Sequence, residues 1–221
     1  MGLILFDLDG TLTDPKVGIT RSVAYALARF GIDVEDLESL TAYIGPPLHE
    51  SFATLAGLSS QDAWQAVLAY REYFTDTGIY ENAVFDGIDH VLASLAARGW
   101  RLAVATSKPT VFAERILEHF GLSDAFEAVA GAEMDGSRQD KAEVIHHALE
   151  LCRVDPSPRC VMVGDREHDV LGARSIGIPS VGVTWGYGSL AELKGAGADV
   201  LVDRVPQLNG IFPEAAGFTT I

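Results

Sequence analysis

The feature that most limits the fold is an alternation of short apolar runs and helical patterns from about residue 84 onward. Apolar residues recur at helical spacing over residues 88–96, and Gly99 then ends the pattern. Apolar runs separated by helical segments are typical of βαβ units, so the sequence predicts the α/β class with a parallel sheet. The predicted strands after this helix are 101–105, 126–130, 160–163, 181–183 and 200–202.

Residues 15–82 interrupt this alternation. They show only helical spacing, as in Ile19, Val23, Ala26 and Phe30, without a convincing strand run. We therefore predict a helical insertion at 15–82, with residues 1–14 and 83–221 forming one core. The Ala- and Gly-rich end, 214–221, is expected to be frayed.

The composition excludes several classes of partner. The 221 residues carry a formal charge of -15, which argues against nucleic acid or an anionic membrane as a partner. The first apolar run is too short for a signal peptide or a membrane span. Two cysteines cannot form a disulfide framework, so a reducing cytoplasm is expected. With 48% hydrophobic residues the chain should fold alone, as a monomer or weak homodimer.

The first predicted strand, Leu3–Phe6, is followed directly by two carboxylates, Asp7 and Asp9. Residues two apart on a strand point to the same side, and Gly10 allows a sharp turn that brings backbone amides close to a ligand. The segment fits a site for a metal and a phosphate, with an Asx-rich turn as the alternative. A calcium loop fits less well, because it needs glycine at its sixth position and Glu at its twelfth.

Polar side chains also stand at other predicted strand ends, where ligands bind in open parallel sheets. Hydroxyls and an ammonium follow the 101–105 run, Lys141 precedes a helix, and carboxylates follow the 160–163 run. Phosphoryl transfer through an aspartyl phosphate needs this set: one carboxylate attacks, others hold Mg²⁺, and a hydroxyl and an ammonium hold the transferring oxygens.

At this point the sequence resembles a known family. Residues 7–13, 105–109, Lys141 and 164–169 are similar, in order and over nearly the whole chain, to the four motifs of the haloacid dehalogenase superfamily of phosphohydrolases. Segments 105–109, 164–169 and 185–189 resemble its phosphoglycolate-phosphatase-like and nucleotidase-like branch. The resemblance implies a Rossmann-like three-layer core, a helical cap inserted at 15–82, and Mg²⁺ as cofactor.

The resemblance also implies residue roles. Arg166 departs from the pattern, because many relatives have Ser or Thr there, and Lys108 could face the phosphate or cap a helix start. His168 is given no role. The implied catalytic residues are the nucleophile Asp7, the general acid/base Asp9, Thr106 and Lys141. Phosphate would be bound by Gly10, Thr106, Ser107 and Lys141. The metal would be held by Asp7, Asp165, Asp169 and the backbone carbonyl of Asp9.

The sequence therefore predicts a cytoplasmic, Mg²⁺-dependent phosphomonoesterase for a small phosphorylated metabolite of the phosphoglycolate or nucleoside monophosphate type. A phosphomutase of the same superfamily and a non-catalytic phosphate-binding regulatory module are the alternatives. The insertion has four cations against nine acids, a poor surface for a carboxylate ligand, and nine aromatic residues. These counts favour a nucleoside monophosphate, unless the aromatic rings pack the insertion's own core.

Overall fold

A computed structural model describes residues 2–221 of the protein. The chain forms two compact units: one is Asp14–Ala83, and the other combines the residues up to Thr13 with Val84–Ile221. The strands within residues 2–221 are β1 (Leu3–Phe6), β2 (Thr13–Asp14), β3 (Ala83–Val84), β4 (Arg101–Pro109), β5 (Ala128–Ala132), β6 (Cys160–Gly164), β7 (Ser180–Val183) and β8 (Val200–Val202).

Helices make up most of the remaining regular structure. None of them, over residues 2–221, combines the length and apolar character needed to cross a membrane. The α-helices are α1 (Lys16–Ala28), α2 (Leu48–Leu55), α3 (Ser60–Phe74), α4 (Ile88–Ala97), α5 (Thr110–His119), α6 (Lys141–Leu151), α7 (Glu167–Ile176), α8 (Leu190–Ala196) and α9 (Leu208–Ile211), and the 3₁₀ helices are Leu37–Tyr43, Gly78–Tyr80, Ser123–Ala125, Val205–Gln207 and Ala215–Gly217.

The larger unit is built on a six-stranded parallel sheet of order β5-β4-β1-β6-β7-β8. All four residues of β1 are fully buried, as expected for a strand covered on both faces. Leu3 of β1 pairs with Arg101 of β4 and Cys160 of β6, so the three strands end at one edge of the sheet. The predicted α/β class with a Rossmann-like parallel core is confirmed.

Several elements differ from the sequence prediction, and three of them bear on the site. Strand β4 continues past residue 105 to Pro109, with a shift of register between Ala105 and Pro109. Strand β5 begins later than predicted because the 3₁₀ helix Ser123–Ala125 precedes it. Helix α7 was not predicted, since its buried face consists of Asp169, Val170, Gly172 and Ala173, which give little apolar periodicity.

The smaller unit, Asp14–Ala83, packs much of its aromatic content into its own core. Tyr43, Phe52, Tyr70 and Phe74 are buried, with stacked rings in the Tyr70 and Phe74 pair. Packing, rather than ligand stacking, therefore accounts for these four of the nine rings.

Three of the four cations in the smaller unit are paired with its own carboxylates: Lys16 with Glu38, Arg21 with Glu81, and Arg29 with Glu72. Ion pairing within the unit leaves these cations less able to attract a ligand carboxylate.

The carboxyl-terminal segment is packed as far as Phe218, so the expectation of fraying was wrong for residues 214–218. The Phe218 ring lies 4.7 Å from the Trp100 ring, and the Trp100 indole N–H donates to the Pro213 carbonyl at 2.7 Å. Burial of large aromatic surface outweighs the flexibility of the neighbouring Ala and Gly residues.

Candidate active site

The loop after β1 places Asp7 and Asp9 at the edge where β1, β4 and β6 end. The Asp7 amide still donates to the Val163 carbonyl of β6 at 2.9 Å, so Asp7 continues the line of the sheet. Gly10 has a φ of +82°, and a Cβ there would overlap the carboxylate of Asp165. The turn therefore requires glycine both for its backbone conformation and for its close approach to an acidic side chain.

Strand β6 and helix α7 supply two further carboxylates. Asp165 directly follows β6; its Oδ2 accepts from the Tyr187 amide at 2.7 Å and its Oδ1 from the Thr11 hydroxyl at 3.3 Å. Asp169 lies in the first turn of α7, where its Oδ2 accepts from the Arg166 amide at 3.0 Å. Both side chains are buried and oriented by backbone or hydroxyl donors.

Lys141, the first residue of α6, joins the carboxylates. Its buried ammonium lies 2.9 Å from Asp7 Oδ1 and 2.7 Å from Asp169 Oδ1, and it donates to the Ala105 carbonyl at 3.0 Å. Burial alone would lower the pKa of Lys141, but the Asp169 and Asp7 carboxylates raise it above its ordinary value. Lys141 is therefore a fixed positive charge between Asp7 and Asp169.

Lys108 enters the site and does not cap a helix, whereas its contact with a phosphate stays a prediction. Its ammonium lies 2.8 Å from Asp9 Oδ2, with both side chains nearly buried, while Pro109 occupies the N-cap of α5. The Lys108 amide is oriented by the buried Thr106 hydroxyl at 3.2 Å. Lys141 is thus not the only counter-charge of the carboxylates.

Asp7, Asp165 and Asp169 form a group that fits a metal ion. One carboxylate oxygen of each lies within 4.8 Å of the others, and all three residues are buried. Burial, with the nearby Asp7 and Asp169 charges, raises the pKa of Asp165 to about 8, and burial also raises the pKa of Asp169. A hard divalent cation such as Mg²⁺ takes oxygen ligands and would relieve this repulsion.

The remaining predicted site residues also lie near this edge. Thr106 is buried and Ser107 half-buried within the irregular end of β4. The predicted metal contact of the Asp9 backbone carbonyl stays a prediction. The Asp9 side chain does not belong to the metal-capable group found in residues 2–221. Arg166 is paired with Glu192 at 2.8 Å.

The sequence analysis gave the segment 185–189 no place in the site, whereas the structure packs it directly on Asp165 and on the loop after β1. The Trp185 indole N–H donates to the Thr11 carbonyl at 3.1 Å. A Cβ on Gly186 would overlap both the Gly10 carbonyl and Asp165 Oδ2, and one on Gly188 would overlap the Asp165 carbonyl. The signal was available in the two glycines, which allow close approach of one backbone to another.

We expect Gly186→Ala to destabilise the protein by about 1 to 3 kcal/mol, because the methyl group must displace Gly10 or Asp165. Chemical denaturation at equilibrium measures this loss. Gly195→Ala is the matched control: its Cβ meets nothing within 4 Å and it lies in helix α8, where alanine is favoured. Equal stability of the two variants would show that the 185–189 segment does not restrain the site.

Known proteins resemble this chain over most of its length. Residues 4–183 match the family described as haloacid dehalogenase-like hydrolase. A 5'-nucleotidase of Pseudomonas aeruginosa is 52% identical over 191 residues, covering 86% of each protein. The tyrosine-protein kinase PtkA of Mycobacterium tuberculosis is 49% identical over 186 residues, covering 84% of this chain but 63% of the relative.

Solved structures of similar sequence have the same fold as this chain. The crystal structure of a protein described as a predicted phosphatase from Clostridium acetobutylicum superposes with a TM-score of 0.91 at 49% identity, covering 94% of this chain and 95% of the other. The family resemblance drawn from the motifs is confirmed.

Proposed function

This chain belongs to the haloacid dehalogenase-like hydrolases and is a phosphatase, and we propose that it hydrolyses phosphomonoesters of small metabolites through an aspartyl phosphate on Asp7, with Mg²⁺ as cofactor. The observation that carries the proposal is the buried group of Asp7, Asp165 and Asp169, bridged by the Lys141 ammonium. When bound there, Mg²⁺ would offset the charge of the phosphoryl oxygens and hold them beside Asp7.

In the first step, the Asp7 carboxylate attacks phosphorus and the bond between phosphorus and the leaving oxygen breaks. Asp9 gives its proton to that oxygen, so the product leaves as an alcohol. In the second step, Asp9 takes a proton from water, whose oxygen attacks phosphorus and releases inorganic phosphate. The Asp7 carboxylate is regenerated, and Asp9 is again protonated.

The surroundings of Asp9 fit a group that carries a proton in one step and loses it in another. Burial raises the pKa of Asp9 above its ordinary value, while the Lys108 ammonium opposes this shift. Its Oδ1 is buried and has no hydrogen-bond partner in the part of the chain that the structure describes. This oxygen is therefore available to the leaving group or to water.

The transferring phosphoryl group needs donors for its oxygens. The Lys141 ammonium, the Thr106 hydroxyl, Ser107 and the backbone at Gly10 would supply them. Because the three protons of the Lys141 ammonium already face Asp7, Asp169 and the Ala105 carbonyl, Lys141 would exchange one of these contacts when it binds a phosphoryl oxygen.

For the substrate, we propose a nucleoside monophosphate over phosphoglycolate. The cations Lys16, Arg21 and Arg29 of the smaller unit are paired with carboxylates of that unit, which leaves little to attract a substrate carboxylate. A relative that is 52% identical carries the name 5'-nucleotidase. The protein would work in the cytoplasm as a monomer or weak homodimer.

We expect the purified protein to release inorganic phosphate from nucleoside monophosphates in the presence of Mg²⁺, with a higher kcat/KM than for phosphoglycolate or a simple sugar phosphate. Phosphate release is measured over this panel, with metal removal by a chelator and re-addition of Mg²⁺ as the control.

Each contrary outcome identifies a different error. A preference for phosphoglycolate would show that the charge of the smaller unit is a poor guide to the substrate. Isomerisation of a sugar phosphate without phosphate release would instead indicate a phosphomutase. Turnover that is unaffected by metal removal would contradict the role of Mg²⁺.

A further inference from the structure

Two buried lysines contact three of the four carboxylates of the site. Lys141 contacts Asp7 and Asp169, which belong to the metal-capable group, whereas Lys108 contacts Asp9, which does not. We propose that Lys108 is a positioning residue that keeps the Asp9 carboxylate out of the metal's ligand set and so reserves it for proton transfer. This inference rests on the proposed function.

The Asp9 carboxylate needs such a restraint because it lies close to the residues that would bind the metal. Asp9 lies two residues after Asp7 on the same tight loop, and the two charges interact. A divalent cation attracts every carboxylate within reach, and additional charged ligands tighten its binding. An Asp9 carboxylate bound to the metal would have its oxygens engaged and could not exchange a proton with the substrate.

Lys108 is held rigidly enough to compete with the cation. Its amide donates to the Thr106 hydroxyl at 3.2 Å, and its carbonyl packs so closely on Gly131 that a Cβ there would overlap it. The ammonium is therefore delivered by the irregular end of a buried strand rather than by a mobile loop. A preorganised donor loses little conformational entropy when it forms its contact.

The contact also orients Asp9. Lys108 lies 2.8 Å from Oδ2, and Oδ1 has no hydrogen-bond partner among the described residues 2–221. Lys108 thus fixes Oδ2 of Asp9, while Oδ1 can still form a hydrogen bond. The same ion pair that withholds Asp9 from the metal would present its second oxygen for proton transfer.

The test compares Mg²⁺ binding by calorimetry, without substrate, in the parent, Lys108→Met, Asp9→Asn and the double variant. We expect Lys108→Met to bind Mg²⁺ at least about tenfold more tightly, because the freed Asp9 carboxylate becomes a ligand. The gain should be absent when the double variant is compared with Asp9→Asn. Arg166→Met is the matched control: it removes a cation that acts on Asp165 without releasing Asp9, so its effect should stay below about threefold.

Turnover gives a second, independent measurement. We expect Lys108→Met to lose about ten- to a hundredfold in kcat on an alkyl phosphate and less on an aryl phosphate, whose leaving group needs no proton. Lys108→Arg should recover most of the loss, and Lys108→Met should add nothing to Asp9→Asn, because both act through the same carboxylate. Lys108→Leu, which also removes both the donor and the charge, replaces Lys108→Met if the latter does not fold.

Unchanged or weaker Mg²⁺ binding in Lys108→Met would overturn the proposal, as would a gain that persists in the Asp9→Asn background. Equal losses of kcat on alkyl and aryl phosphates would also overturn it, since a merely structural role predicts that result. If the parent protein releases no phosphate from any substrate, the proposed function fails, while the calorimetric comparison still decides the role of Lys108.

Discussion

Asp9→Asn is expected to lower turnover on an alkyl phosphate by about 10² to 10⁴-fold, the usual contribution of a general acid/base. The alkoxide leaving group must be protonated, and an amide cannot supply that proton. An aryl phosphate with a good leaving group needs less help, so the loss on such a substrate should be smaller. Steady-state kcat on one substrate of each kind measures the difference.

Asp89→Asn is the control for this comparison, because Asp89 is an exposed carboxylate on α4. It should leave both rates near the parental values. If Asp9→Asn loses equally on both substrates, Asp9 is not the acid, and near-parental activity on both would contradict the mechanism as a whole.

The metal-free protein should lose stability as the pH rises from about 4 to about 8, and Mg²⁺ should restore it. The pKa of Asp165 is about 8 in the folded chain against an ordinary value of 3.8, so the folded state binds the extra proton between these limits. Its contribution to stability is therefore present at low pH and is lost as the pH approaches 8. The free energy of unfolding can fall by up to about 1.4 kcal/mol per pH unit in this window.

Urea unfolding at several pH values, with a chelator and with excess Mg²⁺, measures both effects. At a free concentration of about 100 times its dissociation constant, Mg²⁺ should add about 2.7 kcal/mol. Asp165→Asn should flatten the pH dependence and weaken the response to Mg²⁺, whereas Asp89→Asn should change neither. A metal-free protein whose stability does not vary with pH would contradict the burial of ionisable carboxylates described for this site.

The elements that sequence reasoning predicted well are those with simple burial patterns. Strand β1 consists of four apolar residues and is covered on both faces, so its pattern follows directly from its position. Strand β4 was predicted too short because Thr106, Ser107 and Lys108 are polar, and their polarity masks the continuation of the strand. Helix α7 was missed for a related reason, since Asp169 takes a buried position that an apolar residue would otherwise hold.

The candidate site was predicted unevenly for a different physical reason. Asp7, Asp9, Lys141, Asp165 and Asp169 could be named because local motifs mark them and parallel strands end at a common edge. The pairing of Lys108 with Asp9 depends on the irregular end of β4 and on contacts between segments distant in sequence. Such contacts are set by tertiary packing, which leaves no local signature.

The pairing of β2 with β3 has a consequence for how such a protein can diversify. These two short strands hold the entry and exit of the Asp14–Ala83 segment side by side, and every residue assigned to the chemistry lies outside that segment. Joining chain ends that are already adjacent adds little closure entropy, even for inserts of different length. Substitution or exchange of the whole segment would therefore leave the residues assigned to the chemistry in place, so that the insertion and the core can evolve as separate modules.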